Sequence, residues 1–506
     1  MKTLRRFDYL FLSTKGLVLV AISMVGLVTA VWGTLSGPMV EWGVKDVVVK
    51  LLGMDLNHWE REGRVIMLYH TIALAIVAIE VYFITSIVPM KKQQQININR
   101  AVTVGYLFAM VFGLGFAYFG HNFAFHGLFL VGQALIFYAG VSLAAALWPW
   151  NKEYYLAPDS PYAHTKSGLD LERLAFFTMT VMTLLSAIWG AVTGSFWGNG
   201  HETFLGEDLI RIPHKTHLEH AIIGHLHIML SLVAVGITLI VGRWLDFKGA
   251  LHKWGMYFMI IGSVVLTTGA LAIVWIPWAH TIIYVGAVGV MGAALLYVIY
   301  SWKVLIQEGT AGIENPTFMD KLKALLRDPL KFGPGWQMVF MNFTVSGVGI
   351  FMAIKLEKIF RVWDSREERI TLVGHWHILA ALIATIILMY YWDISGMKGK
   401  VRKWAGWILI IGSDIAFASA TIFSMKRLFV SEYNQGPVVD TTMLLIDFGL
   451  GAILVMLGIF LVWRLIDLFQ KDGLWKKEAA NPELDVNRIF PKEPIKDANV
   501  EVEEEK

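Results

Sequence analysis

About twelve stretches of mostly apolar residues alternate with short polar segments along the chain. A run of about twenty apolar residues can cross the hydrocarbon layer of a membrane as an α-helix. The pattern therefore predicts an all-α integral membrane protein with about twelve transmembrane helices. We expect these spans to begin near Leu17, Val65, Ala101, Phe125, Leu174, Glu219, Gly255, Thr281, Trp336, Ile370, Trp404 and Thr442.

Composition agrees with a membrane protein and narrows its chemistry. Of 506 residues, 56% are hydrophobic and 16% are charged, which is more apolar than a soluble domain of this size. The chain contains no cysteine, which excludes disulfides, thiolate-bound iron–sulfur clusters and covalently attached c-type haem. Any metal or haem must then be bound by His, Met or carboxylate side chains. The basic residues lie in short loops between apolar runs, so they do not indicate nucleic-acid binding.

Lysine and arginine lie mainly in the loops on one side of a twelve-span arrangement. By the positive-inside rule, both termini are then cytoplasmic, and we expect the inner membrane of a prokaryote. Residues 1–477 form a single membrane domain in this interpretation, and residues 478–506 form a flexible polar tail. The basic positions on the cytoplasmic side are Arg5, Arg6, Lys91, Lys92, Arg243, Lys253, Lys321, Lys323, Lys400, Arg402, Lys403, Lys476 and Lys477.

Three short sequence motifs each occur twice, and the two copies of each are 150 residues apart. The sequence Gly-His-x-His begins at Gly224 and again at Gly374, and both Lys-Trp and Gly-Ser recur in the same register. A fainter copy surrounds His70, because Arg64 precedes it by six positions as Arg369 precedes His375. The chain is therefore interpreted as three pseudo-repeats of four helices, near residues 16–150, 170–303 and 330–466.

Histidines are concentrated in one layer of the predicted membrane. His70, His225, His227, His375 and His377 fall within about two helical turns of the outer ends of spans two, six and ten. Ionisable groups at such positions are costly to bury and are usually functional. His121, His126 and His280 also lie at outer ends, where packing and ligand roles are equally open. The loop residues His201, His214, His217 and His220 are interpreted as solvated surface in preference to an adventitious metal cluster.

The two His-x-His pairs have a geometric meaning. Residues two positions apart on an α-helix point about 200° apart, so one pair cannot chelate a single metal ion. A helix carrying His375 and His377 could instead hold one cofactor on each side. Neutral imidazole is a common axial ligand of haem iron, and a six-coordinate haem needs a second ligand from another helix. His70, at matching depth, is the candidate for that second ligand.

These residues resemble the twelve-helix catalytic subunits of the haem–copper oxidase superfamily, in particular the nitric oxide reductase and C-type oxidase branch. The resemblance covers roughly Leu17 to Val462 and rests on His70 in span two and on Gly374-His375-Trp376-His377 in span ten. It implies that His70 and His377 hold a low-spin haem b and that His375 binds a second, high-spin haem. It also implies that Lys426 and Arg427 contact haem propionates, although both would equally suit the membrane interface.

The resemblance further implies a non-haem copper or iron ion near the second haem. His225 in span six and His280 at the end of span seven match two of its ligands. His280 lacks the adjacent histidine of the family pattern, position 229 is Met, and His227 faces away from His225. Alternatively, His225 gives the haem of His375 a second axial ligand, which would close that haem to gas.

The expected function is that of a membrane respiratory oxidoreductase core subunit that carries two b-type haems and transfers electrons, with reduction of O2 or NO at a high-spin haem as an additional activity that the resemblance allows. The first alternative is a dihaem electron conduit or quinol dehydrogenase without a gas site. The second is a secondary transporter built on the repeats. A haem protein without its own electron source needs a cytochrome c-type subunit or quinol, so we expect a hetero-oligomeric complex within membrane lipid.

Glu80 and Asp414 are carboxyl groups within spans, and their role is left open between local structure and proton transfer.

Overall fold

Twelve helices of the computed structural model are long and apolar enough to cross a membrane. The structure describes residues 6–36, 40, 42–56, 61–120, 122–196, 217–276, 278–356, 358–363 and 365–480. Each of the twelve predicted spans falls within one of these helices, so the prediction of an all-α integral membrane protein is confirmed. The helices are α1 (Thr14–Ser36), α2 (Arg61–Ile87), α3 (Lys92–Phe119), α4 (Phe123–Ala146), α5 (Leu171–Phe196), α6 (His217–Trp244), α7 (Gly249–Ala272), α8 (Ala279–Gly309), α9 (Pro329–Lys355), α10 (Ser365–Ile394), α11 (Gly399–Met425) and α12 (Gln435–Phe469).

The third and fourth helices of each predicted repeat meet at a pair of glycines. A methyl group on any of these glycines would press against the backbone or a side chain of the neighbouring helix. Small residues of this kind let transmembrane helices approach closely, where van der Waals contact holds them together. The three repeats therefore share one mode of packing. The pairs are Gly105 with Gly132, Gly262 with Gly286, and Gly412 with Gly449.

The second helices of the repeats, α2, α6 and α10, come together inside the bundle. In the most apolar window of α2, 61% of the residues are buried, whereas the corresponding share for α12 is 17%. The backbone of α6 approaches both α2 and α10, while α2 and α10 are farther from each other. This places α6 between the other two histidine-bearing helices.

A cluster of charged side chains joins the two ends of the described chain. The Tyr9 hydroxyl donates a hydrogen bond of 2.7 Å to Glu478, which belongs to the short helix Leu474–Ala480. Arg464 Nη2 lies 2.9 Å and Lys15 Nζ lies 3.5 Å from the same carboxylate. This short helix extends beyond Lys477 to Ala480, and residues 481–506 of the predicted tail lie outside the described residues.

Candidate haem-binding site

The His-x-His pair of α6 faces two different helices. The ring centroid of His225 lies 6.5 Å from that of His70 on α2, and the two ring planes differ by 13°. The ring centroid of His227 lies 6.3 Å from that of His375 on α10, and those planes differ by 45°. The two side chains of α6 point in opposite directions, as the helical period predicts.

The second histidine of α10 has a different neighbour. The His377 ring lies 5.0 Å from that of Tyr69, the residue before His70, in an edge-to-face arrangement. The resemblance implied that His377 and His70 share one haem, whereas the nearest imidazole to His70 among the ring contacts is that of His225. The physical reason is the position of α6, whose backbone lies closer to α2 than the backbone of α10 does.

Three of these imidazoles have a defined proton position. The Nδ1 of His225 lies 2.8 Å from the Ser186 carbonyl oxygen, that of His227 lies 2.8 Å from the Ile223 oxygen, and that of His377 lies 2.9 Å from the Val373 oxygen. A carbonyl oxygen accepts, so Nδ1 must carry the proton in each case. The lone pair then lies on Nε2, which is the arrangement of a metal-binding histidine whose other nitrogen is held by a backbone carbonyl.

Neighbouring glycines allow the rings to fit between helices. A methyl group at Gly190 on α5 would lie 2.7 Å from the His225 ring, so only glycine leaves the ring in its place. A methyl group at Gly349 on α9 would lie 3.4 Å from the His375 ring, an ordinary contact. Gly349 follows a π-helical segment of α9, Met341–Gly347, a departure from α-helical winding that is frequent near functional sites.

The glycine that precedes each His-x-His pair is needed for close packing between helices. A methyl group at Gly224 would lie 2.5 Å from the Ala270 carbonyl oxygen on α7. The equivalent group at Gly374 would clash with the Ser424 hydroxyl on α11. The repeated Gly-His-x-His sequence therefore combines two requirements: close packing against the third helix of the repeat and two imidazoles on opposite faces.

The basic residues after α11 have unequal surroundings. Arg427 Nη1 donates a hydrogen bond of 2.6 Å to Glu367 on α10, and its guanidinium lies over the Trp363 ring. Its charge is thus already balanced by a carboxylate. Lys426 is buried, with its ammonium 4.9 Å from the centre of the Phe423 ring, and no carboxylate of the described residues forms an ion pair with it. Of the two, Lys426 is the better candidate for an anionic partner.

Two further candidate histidines have other aromatic neighbours. His280 is exposed at the start of α8 beside Tyr284, with ring centroids 6.4 Å apart, and exposed His126 lies beside Phe116. His217 is exposed at the start of α6, one turn before His220. Within the described ranges, no three His, Asp or Glu side chains form a group that could hold a metal ion. His121, His201 and His214 lie outside the described residues.

Sequence reasoning did not identify Ser186, Gly190 or Tyr69 as parts of this site. The hydroxyl of a serine in a transmembrane helix usually donates a hydrogen bond to a backbone carbonyl of the same helix, and a glycine there commonly serves helix packing alone. Neither residue type therefore indicates a ligand-binding site. The chain matches no protein family, no curated protein and no solved structure at a significant level of similarity. Its function is therefore inferred from the residues of the site.

Proposed function

We propose that this chain is an electron-transfer subunit of a membrane respiratory complex and that it binds two haem b groups. One haem would be held between His70 and His225, and the other between His227 and His375. The observation that carries this proposal is the separation of the rings, 6.5 Å in one pair and 6.3 Å in the other. Two imidazoles bound to one metal ion from opposite sides, through bonds of about 2.0 Å, place their ring centroids about 6 Å apart.

The chemistry of the donors fits haem iron. Neutral imidazole is a common ligand of haem iron, and the hydrogen bonds from Nδ1 of His225 and His227 to backbone carbonyls hold the tautomer whose lone pair is on Nε2. The lack of cysteine is compatible with b-type haem, which needs no covalent thioether link. Lys426 supplies a buried cation that would suit a propionate group.

Two imidazoles on each haem favour electron transfer over gas reduction. When bound, each haem would supply a one-electron carrier, held by His70 and His225 in one case and by His227 and His375 in the other. A gas-reducing haem needs one open position, and the resemblance assigned that role to the haem of His375. With His227 beside His375, we propose the electron conduit, which includes quinol oxidation as one source of electrons. His280 and a non-haem copper or iron ion have no part in this mechanism.

The arrangement of charges supports an orientation for the complex. If the lysine-rich and arginine-rich loops are cytoplasmic, the histidine layer faces the exterior or periplasm of a prokaryotic inner membrane. Electrons would pass between the haems and a partner on that side, either a cytochrome c-type subunit or a quinol. The chain would then act within a hetero-oligomeric complex.

Spectroscopy of the purified protein tests this proposal. We expect a pyridine haemochrome to give two haem b per chain and the reduced protein to show no spectral change on addition of carbon monoxide. A haem that binds carbon monoxide would contradict the closed site and favour reduction of O2 or NO at His375. A protein without haem would contradict the whole proposal and favour a transporter built on the same repeats.

A further inference from the structure

Glu80 on α2 is a buried carboxyl group that has no hydrogen-bond or ion-pair partner among the residues that the structure describes. Its exposed fraction is 4%, and its Oε1 atom is buried without a hydrogen bond. Among the described residues it forms no ion pair. Its position is ten residues after His70, which corresponds to about 15 Å along the helix toward the end that carries Ile87.

The fold makes room for this carboxyl group on the neighbouring helix. A methyl group at Gly236 on α6 would lie 3.0 Å from Glu80 Oε2 and 3.2 Å from its Cδ. Gly236 follows His225 by eleven residues, about three helical turns, and so lies on the same side of α6. The carboxyl group and the His70–His225 pair thus occupy the same interface between α2 and α6, at two depths.

The surroundings of Glu80 offer little to balance a charge. The helix α1 has no titratable residue after Lys15, and α6 has none between His227 and Arg243. The hydroxyl of Tyr82, two positions away and about 200° around α2, is bonded to Thr103 on α3. The other titratable residues are Lys92, Arg100, Tyr106 and Tyr118 on α3, which packs against α2, and His126 and Tyr138 on α4. On α10, which contacts α2 through Tyr390 and Phe83, the titratable residues at the Ile394 end are Tyr390, Tyr391 and Asp393, and those toward its start are Arg366, Glu367, Glu368, Arg369, His375 and His377.

An unpartnered carboxyl group inside a membrane protein is costly and is typically functional. In a medium of low dielectric constant, a change of charge at one group acts on another over a long distance. Reduction of a haem between His70 and His225 would add one negative charge to the interface that also contains Glu80. A proton on the carboxylate would neutralise that charge.

We propose, on the basis of the haem assignment above, that Glu80 is a redox-linked proton-binding site. When the haem iron that His70 and His225 would hold accepts one electron from the proposed quinol or cytochrome c-type partner, the Glu80 carboxylate would take one proton from the aqueous phase. Reoxidation of the iron releases that proton. The chain would then couple each electron that passes this haem to the uptake and release of one proton.

Infrared difference spectroscopy of the full-length, haem-loaded protein tests the proposal. On reduction, the wild-type protein should gain a carbonyl band of a protonated carboxylic acid, and Glu80→Gln should lack it. The matched control is Asp414→Asn, which removes another carboxyl group within a span, where Asp414 accepts a hydrogen bond from Trp336, and should keep the band. The midpoint potential of this haem should fall as pH rises in the wild-type protein and stay constant in Glu80→Gln.

Several outcomes would overturn the inference. A band that persists in Glu80→Gln, or one that shifts on reduction without gaining area, would show that Glu80 does not change its protonation. If Glu80→Gln does not fold, Gly236→Ala should shift the frequency of the wild-type band, because its methyl group presses on the carboxyl, and an unshifted band would contradict the assignment. A wild-type protein without haem contradicts both proposals, whereas a haem-loaded protein without the band contradicts this one alone.

Discussion

The imidazole of His227 lies 6.3 Å, between ring centroids, from that of His375, although these residues belong to different repeats. Two positions earlier on the same helix, His225 stands 6.5 Å from His70. One helix, α6, thus provides an imidazole to each of its two neighbours. This arrangement places α6 between the other two helices and divides these four histidines into two pairs, so that substitutions in one pair should act separately from substitutions in the other.

Single substitutions of the paired histidines should each remove one haem. We expect His70→Ala and His225→Ala to lose the same haem, and His227→Ala and His375→Ala to lose the other, with half of the pyridine haemochrome signal left in each case. His377→Ala is the matched control and should retain both haems, because His377 contacts Tyr69 instead. If His377→Ala lost a haem while His227→Ala kept both, the pairing implied by the resemblance would be correct.

The two glycines beside the rings should differ in their tolerance of alanine. Gly190→Ala would place a methyl group 2.7 Å from the His225 ring, so the ring must move and the haem between His70 and His225 should be lost. Gly349→Ala would place it 3.4 Å from the His375 ring and should leave both haems bound. Haem content per chain, measured on detergent-purified protein, distinguishes the two variants. Equal haem loss in both would contradict the assignment of distinct contacts.

The membrane spans were predictable because hydrophobic length is a local property of the sequence. Each of the twelve apolar runs falls within one helix of the structure, and the opposite directions of His225 and His227 follow from the helical period alone. The π-helical segment Met341–Gly347 was not predicted, since its winding depends on contacts with α8 and α10 rather than on local sequence.

The pairing of the histidines could not be predicted from the sequence. Depth in the membrane identified the set of imidazoles and the resemblance paired His70 with His377, whereas the ring nearest to His70 among the ring contacts is that of His225. That choice depends on the distances between helices, which are set by glycine contacts such as that of Gly224 with α7. The role of Ser186, whose carbonyl holds the His225 ring, likewise requires the packing of α5 against α6.

Packing of the third repeat should depend on Gly449 of α12. A methyl group there would press on the backbone of Gly412 and Ala416 on α11, so Gly449→Ala should lower the free energy of unfolding by about 1–3 kcal/mol. Gly458→Ala, on the same helix, would meet no atom within 4 Å and should be neutral or slightly stabilising. Thermal unfolding, monitored by tryptophan fluorescence, compares the stabilities of the Gly449→Ala and Gly458→Ala proteins. Equal destabilisation of the two variants would contradict a specific contact at Gly449.

The charged cluster at the chain ends should contribute strongly to stability. The side chains of Arg464 and Glu478 are exposed by only 1% and 8%, and Lys15 and Asp467 belong to the same buried cluster. Removal of Glu478 would leave two buried cations, Arg464 and Lys15, against the one carboxylate of Asp467. We expect Glu478→Ala to lower the free energy of unfolding by about 3–5 kcal/mol. Glu314→Ala, at an exposed position in the α8–α9 connection, is the control and should leave stability unchanged. A Glu478→Ala protein as stable as the control would show that the cluster is dispensable.

Membrane orientation can be tested by single-cysteine labelling, because the chain contains no cysteine of its own. Lys152 and Glu432 are both exposed and lie in the α4–α5 and α11–α12 connections, on opposite sides of the bundle. In spheroplasts, a membrane-impermeant maleimide should label Glu432→Cys directly and Lys152→Cys only after the membrane is opened, because lysine-rich and arginine-rich loops are retained in the cytoplasm. The reverse result would place the histidine layer at the cytoplasmic face, and the electron-transfer partner would then have to be a cytoplasmic protein or a quinol.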